Sequence, residues 1–89
     1  MALSPEAIEN YIREHLAQVA REKGIDLPEI HGDSNLLDLG VLDSLGFVQM
    51  LMSLEAEFDL ELDLTEMDPD EFTSLKGLVA TALKTSQAA

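Results

Sequence analysis

Apolar residues recur along this chain at intervals of three and four, the spacing that lines one face of an α-helix. Ile8, Ile12, Leu16 and Val19 form the first series, with Tyr11 and His15 alongside. Ser4-Pro5-Glu6 precedes it with a capping hydroxyl, a proline suited to a first turn and an early acid. Gly24 offers a stop, so helix one is predicted over about 5–22. A second series spans Ser44 to Phe58. Phe47, Met50, Leu51, Leu54 and Phe58 share one face, and Leu45, Val48 and Met52 make a second apolar strip beside it. Gly46, Gln49, Ser53, Glu55, Ala56 and Glu57 fill the margins. One core needs one strip, so the second is a candidate docking surface. Pro69-Asp70-Glu71-Phe72 predicts a short third helix. Leu75, Leu78, Val79, Ala82 and Leu83 predict the last, capped by Thr73 or Ser74.

Residues 24–43 form a long connection rich in turn formers, namely Pro28, Gly32, Asp33, Asn35 and Gly40. Loops of this length are uncommon in small domains and usually serve a function. Leu36, Leu37, Leu39, Val41 and Leu42 punctuate it, so part of it is expected to pack back on the core. Leu60, Leu62 and Leu64 alternate with acids as a strand would, but a lone strand has no partner; an extended loop is the expectation. The tail, 86–89, is expected to fray. With no internal repeat and no linker, the whole chain, 1–89, reads as one domain with its core in about 5–85.

At 89 residues that core is modest, and aromatics are only 4%, so it must be built from Leu, Ile, Val and Met. The net charge of -13 argues against nucleic acid as a partner. It favours partners with basic docking patches. The acidity is uneven. Glu6, Glu9, Glu14 and Glu22 are nearly balanced by Arg13, Arg21 and Lys23, whereas all the later acids face only Lys76 and Lys84. The chain has no cysteine, which excludes disulfides, Cys-ligated zinc and a cysteine nucleophile. A thioester held by this chain would need its thiol from an attached group. The start lacks the basic region and apolar core of a signal peptide, and no apolar run is long enough to span a bilayer. A cytoplasmic monomer is the expectation.

The segment Gly40-Val41-Leu42-Asp43-Ser44-Leu45 places a serine where a polar loop becomes a helix. A helix start offers unpaired backbone N–H groups and a positive dipole end, which suit a phosphate ester. Asp43-Ser44-Leu45 resembles the attachment motif of acyl carrier proteins. The resemblance runs from about Leu36 to Leu83, and more loosely over the whole chain. The tripeptide alone recurs by chance; within a small, acidic, helical pattern it is specific. The resemblance implies an all-α four-helix bundle with a long loop between helices one and two and a short third helix. It implies that Ser44 carries a covalent 4'-phosphopantetheine arm, added from coenzyme A by a phosphopantetheinyl transferase. Asp43 would then sit beside the entering phosphate, where its charge needs a metal or basic group on the transferase as an offset. Leu45 would be the first apolar contact offered to partners. The plainer reading of Ser44 is a helix cap; the loop, the acidity and the two-strip helix favour attachment.

In fatty-acid carriers acids follow the attachment serine closely. Here those positions hold Gly46, Phe47 and Gln49, and only Glu55 and Glu57 keep acidic character further along. The runs from Leu42 to Leu51 and from Thr65 to Phe72 are more similar to D-alanyl and stand-alone aminoacyl carriers. That similarity implies an aminoacyl cargo, loaded by an adenylating ligase or acyltransferase and presented to a downstream transferase or synthase of a biosynthetic pathway. The docking surface would comprise Leu45, Val48, Gln49, Met52 and Glu55. A polyketide or fatty-acyl carrier is the alternative cargo class. Val48, Gln49 and Met52 also read as an ordinary solvent face.

Other classes fit less well. An EF-hand needs Gly at position six and Glu at twelve. Counted from Asp59 these are Leu64 and Asp70, and from Asp33 position six is Asp38. An enzyme is not expected, because nothing in the sequence places His15 or His31 beside Ser44; no metal site is expected either. An acidic helical adaptor without a prosthetic group is the remaining competitor.

Overall fold

A computed structural model describes residues 4–62 and 68–88. The expectations for Leu64 and for Thr65 to Met67 lie outside the described residues. The described part is all-helical: α1 (Pro5–Lys23), α2 (Ser44–Phe58), a single-turn α3 (Pro69–Phe72) and α4 (Leu75–Ala88). Ser4 caps α1, its hydroxyl accepting from the Ala7 N–H at 3.1 Å. Gly24 closes the helix in the left-handed conformation, φ 71°, with its N–H directed to the Ala20 and Arg21 carbonyls. Arg21 and Lys23 occupy the last turn, where a cation suits the dipole. α4 is capped by Ser74, whose hydroxyl accepts from the Gly77 N–H at 3.1 Å. It continues through Ala88, into the stretch expected to be a tail, so the helix outlasts its own apolar pattern.

The core is aliphatic, as the shortage of aromatics requires. Ile8, Ile12 and Leu16 from α1, Met50 and Leu54 from α2, and Leu75, Leu78 and Ala82 from α4 are fully buried. The few aromatics pair at its margin. Tyr11 meets Phe58 edge-on at 5.6 Å, and Phe47 stacks on Phe72 at 6.3 Å, tying α3 to α2.

The long connection is fastened down along its length. Leu36 and Val41 have no exposed surface, and burying a side chain of that size stabilises by roughly 1.5–3 kcal/mol. Its backbone is stitched to the α3–α4 junction: the Leu36 N–H donates to the Thr73 carbonyl at 2.8 Å, Leu75 to Ser34 at 3.2 Å and Lys76 to Gly32 at 2.9 Å. Asn35 folds an Asx-type turn by accepting from the Leu37 N–H at 2.8 Å, and its amide reaches the Thr73 hydroxyl at 3.4 Å. At the surface the Lys76 ammonium meets the Asp33 carboxylate at 2.8 Å. That hydrogen bond holds the Asp33 carboxyl below its ordinary value and Lys76 above its own.

The α3–α4 corner is closed by Gly77. A Cβ there would overlap the Glu71 carbonyl and crowd the Ser74 hydroxyl at 2.7 Å. Leu60 and Leu62 pack partly buried against the core without regular structure. The only bridge among the described residues is Asn35 with Ser74, so Leu60 and Leu62 are loop, as periodicity without a partner strand requires.

Candidate functional site

The connection arrives at α2 through two buried residues, Val41 and Leu42, at 0% and 5% exposure. They fix the backbone immediately before Asp43. Asp43 is extended, φ -92° and ψ -176°, and its Oδ1 accepts from the Gly46 N–H at 2.7 Å. The cap of α2 is therefore Asp43 and not Ser44, which corrects the plainer reading of the serine. Asp wins the position because its carboxylate carries charge to the positive helix end. Ser44 is the first helical residue, its side chain exposed and its hydroxyl not consumed by the cap. Gly46 makes room for this arrangement. A Cβ there would stand 3.1 Å from the Asp43 Oδ1 and 3.4 Å from the Leu42 Cδ2.

Beyond the serine, the two-strip pattern of α2 separates as its periodicity predicts. Phe47, Met50, Leu51 and Leu54 are buried, while Leu45, Val48 and Met52 are 66%, 48% and 56% exposed. Gln49 is exposed among them. Glu55, the last residue of the expected docking set, has a different setting. It is half-buried, and its Oε2 accepts from the Leu62 N–H at 2.8 Å. Its carboxylate braces the segment after α2 rather than standing free on the surface.

A groove of about 380 Å³ opens between α1 and the start of α2. His15, Val19, Glu22 and Lys23 form one wall; Leu42, Asp43, Leu45, Gly46 and Gln49 form the other. Nothing in the residue spacing places His15 near the serine, yet the fold sets it across the groove from the residues on either side of Ser44. A signal existed. His15, Val19 and Glu22 recur at helical spacing on one flank of α1, but only packing reveals which element that flank faces. Burial holds the His15 imidazole below its ordinary value, with the Glu22 carboxylate pulling the other way. Lys23 donates to the Val41 carbonyl at 2.6 Å, which stations a cation at the acidic, serine-bearing end. His31 lies elsewhere, exposed on the connection, its backbone N–H donating to the Ser34 hydroxyl at 2.9 Å. Among the described residues no cluster of His, Asp and Glu could hold a metal. No described helix is long and apolar enough to cross a membrane.

This arrangement suits an ester at the Ser44 oxygen. Helix geometry leaves the Ser44 and Leu45 N–H groups without intrahelical partners, and they favour an anion there. The Asp43 carboxylate opposes that anion, but it is turned onto Gly46, and Lys23 lines the same groove. The residues present fit a phosphate-linked group.

Residues 10–82 match the family model described as the phosphopantetheine attachment site. The chain is similar to aminoacyl carrier protein 2 of Bradyrhizobium diazoefficiens, 34% identical over 71 residues, covering 80% of this chain and 78% of that one. It is also similar to the D-alanyl carrier protein of Lacticaseibacillus casei, 32% identical over 78 residues, covering 88% and 93% respectively. No solved structure gives a significant match. A family match reaching from α1 into α4, around an exposed serine at the head of α2, makes this chain a member of the acyl carrier proteins, the family built to bear phosphopantetheine.

Proposed function

We propose that this chain is a stand-alone carrier of the four-helix acyl-carrier type, that Ser44 is its attachment residue, and that its cargo is an aminoacyl group. The observation that carries the reading is the division of labour at the start of α2: Asp43 caps the helix and leaves the neighbouring hydroxyl exposed. In the modifying step the Ser44 oxygen attacks the coenzyme A phosphorus nearest the pantetheine. The P–O bond to the nucleotide side breaks and the adenosine bisphosphate leaves. The serine proton passes to a base or water on the transferase. The chain itself contributes position: Val41 and Leu42 anchor the approach, Asp43 orients the first turn, and the helix N–H groups receive the phosphate. The arm, once bound, supplies the thiol that this cysteine-free chain lacks, to hold an acyl group as a thioester.

The aminoacyl assignment rests on two supports: the names of the similar carriers, and the absence of acids directly after Ser44. An adenylating ligase would load the thiol and a transferase or synthase would take the cargo onward. The exposed Leu45, Val48, Gln49 and Met52 offer the surface for those encounters. The chain carries and does not catalyse, and the cytoplasm, where coenzyme A and ATP are at hand, is the compartment this role requires.

Coexpression with a broad-specificity phosphopantetheinyl transferase tests the attachment. Intact mass should rise by one phosphopantetheine, and Ser44→Ala should abolish the gain. An unchanged mass would leave an acidic helical adaptor as the better description. Incubating the modified chain with amino acids and adenylating ligases should then add one aminoacyl mass. Loading only by acyl-group enzymes would overturn the cargo assignment.

A further inference from the structure

We infer that Lys23 is a positioning residue for the modification of Ser44, which it aligns by holding the carbonyl of Val41. This rests on the reading of Ser44 as the attachment residue. The connection before α2 is secured unevenly. Residues 32–36 are joined to the α3–α4 corner by three backbone hydrogen bonds. Residues 39–42, which lead into the serine, are held differently. Among the described residues, the one hydrogen bond made by this stretch runs from the Lys23 ammonium to the Val41 carbonyl, at 2.6 Å. A charged donor at that distance makes a strong contact. Gly40, directly before Val41, has φ 78°, and glycine leaves the chain free to turn at such a joint. Burial holds the Val41 and Leu42 side chains, but the orientation of the peptide between them is left to Lys23.

The anchor itself is rigid. Lys23 ends α1, and the N–H groups of Gly24 and Ile25 close that helix onto the Arg21 and Ala20 carbonyls at 3.2 and 3.0 Å. From Val41 the constraint passes to Leu42, which lies against the first turn of α2: a Cβ on Gly46 would meet its Cδ2 at 3.4 Å. Asp43 comes next, its Oδ1 and its carbonyl accepting from the Gly46 and Phe47 N–H groups at 2.7 and 2.9 Å. Ser44 follows directly. A nucleophile displaced by about 1 Å can lose about 100-fold in rate, so a tie at this point acts on the transfer itself. α1 also provides a comparison. Arg13 donates to the Ile30 carbonyl at 3.1 Å, the same kind of contact made earlier in the connection.

The test compares the native chain, Lys23→Met, Lys23→Arg and Arg13→Met as transferase substrates, with coenzyme A saturating, carrier varied and product read by intact mass. Lys23→Met keeps the aliphatic stem and loses the donor. Docking through the exposed strip of α2 does not depend on the tie, so kcat should fall roughly tenfold with KM near the native value. Lys23→Arg, which keeps a cationic donor, should restore most of the rate, and Arg13→Met should leave kcat native. Hydrogen exchange on the unmodified chain gives a second readout. In Lys23→Met the Gly46 and Phe47 amides should exchange roughly tenfold faster, while those of Met50 and Leu54 keep the native rate. A raised KM with native kcat would make Lys23 a contact for the transferase and overturn the positioning role. Native kcat and native exchange in Lys23→Met, or an equal loss of kcat in Arg13→Met, would also overturn it, leaving the attachment reading standing. No mass gain in the native chain would overturn both.

Discussion

Asp43 does two separable things in this account, and two substitutions pull them apart. Its Oδ1 caps α2 through a 2.7 Å hydrogen bond from Gly46, a short, charge-assisted contact. Its negative charge also stands beside the Ser44 hydroxyl, the proposed point of attachment. Asp43→Ala removes cap and charge together. Loss of such a cap costs about 1 kcal/mol, and loss of an anion at a helix start about 0.5 kcal/mol more. For a chain of this size each kcal/mol moves the midpoint by about 4–8 °C, so Asp43→Ala should melt about 6–12 °C lower by circular dichroism. Asp43→Asn keeps the acceptor oxygen and loses only the charge, a fall of about 2–4 °C. Modification by the transferase, followed as mass gain against time, should nonetheless slow in both variants. The carboxylate is the group that a metal or basic side chain on the transferase would engage. Should Asp43→Ala melt with the native protein, the cap does not organise this helix start. Should Asp43→Asn be modified at the native rate, the charge plays no part in the transfer.

Gly77→Ala should destabilise by about 1–3 kcal/mol despite alanine's helix preference, because the added carbon meets backbone that cannot yield; a urea midpoint equal to the native one would contradict the tight α3–α4 corner. Met52→Glu and Val48→Glu should slow loading by the cognate ligase several-fold while leaving stability within about 0.5 kcal/mol, and unaltered loading would remove the exposed strip as a docking surface. His15 ties stability to pH. Burial holds its folded value below 6.5, so between that value and 6.5 the unfolded chain takes up the proton first and stability falls as pH falls. His15→Gln should lose that slope in urea midpoints measured from pH 7 to 5, and an unchanged slope would place its origin elsewhere. Added salt should weaken binding to ligase or transferase if the acidic surface steers the encounter, and a flat response would remove steering from the account.

The sequence disclosed what is local and periodic. Ser4 and Gly24 marked the ends of α1 because caps and stops act through neighbouring backbone. The split of α2 into a buried and an exposed strip followed from 3.6-residue geometry. Leu60 and Leu62 could be read as loop despite their alternation with acids because a strand needs a partner. What stayed hidden is what depends on distant packing. That Asp43 and not Ser44 caps α2 turns on one residue of backbone conformation, since both side chains can accept the bond. That Glu55 reaches the Leu62 N–H depends on how the chain turns after α2. The meeting of His15 and Lys23 with the residues around Ser44 depends on the angle at which α1 crosses α2, which no spacing encodes.

The stitching between residues 32–36 and 73–76 bears on how such carriers can be recombined. The approach to the serine is hooked to the corner between the last two helices, and Phe47 rests on Phe72 from the other side. A graft that exchanges only α2 would inherit a foreign corner and set its serine on a mismatched footing. A cassette running from Gly32 through Gly77 would travel with its own hooks intact. Swaps meant to redirect this carrier to another enzyme should therefore be cut outside that interval.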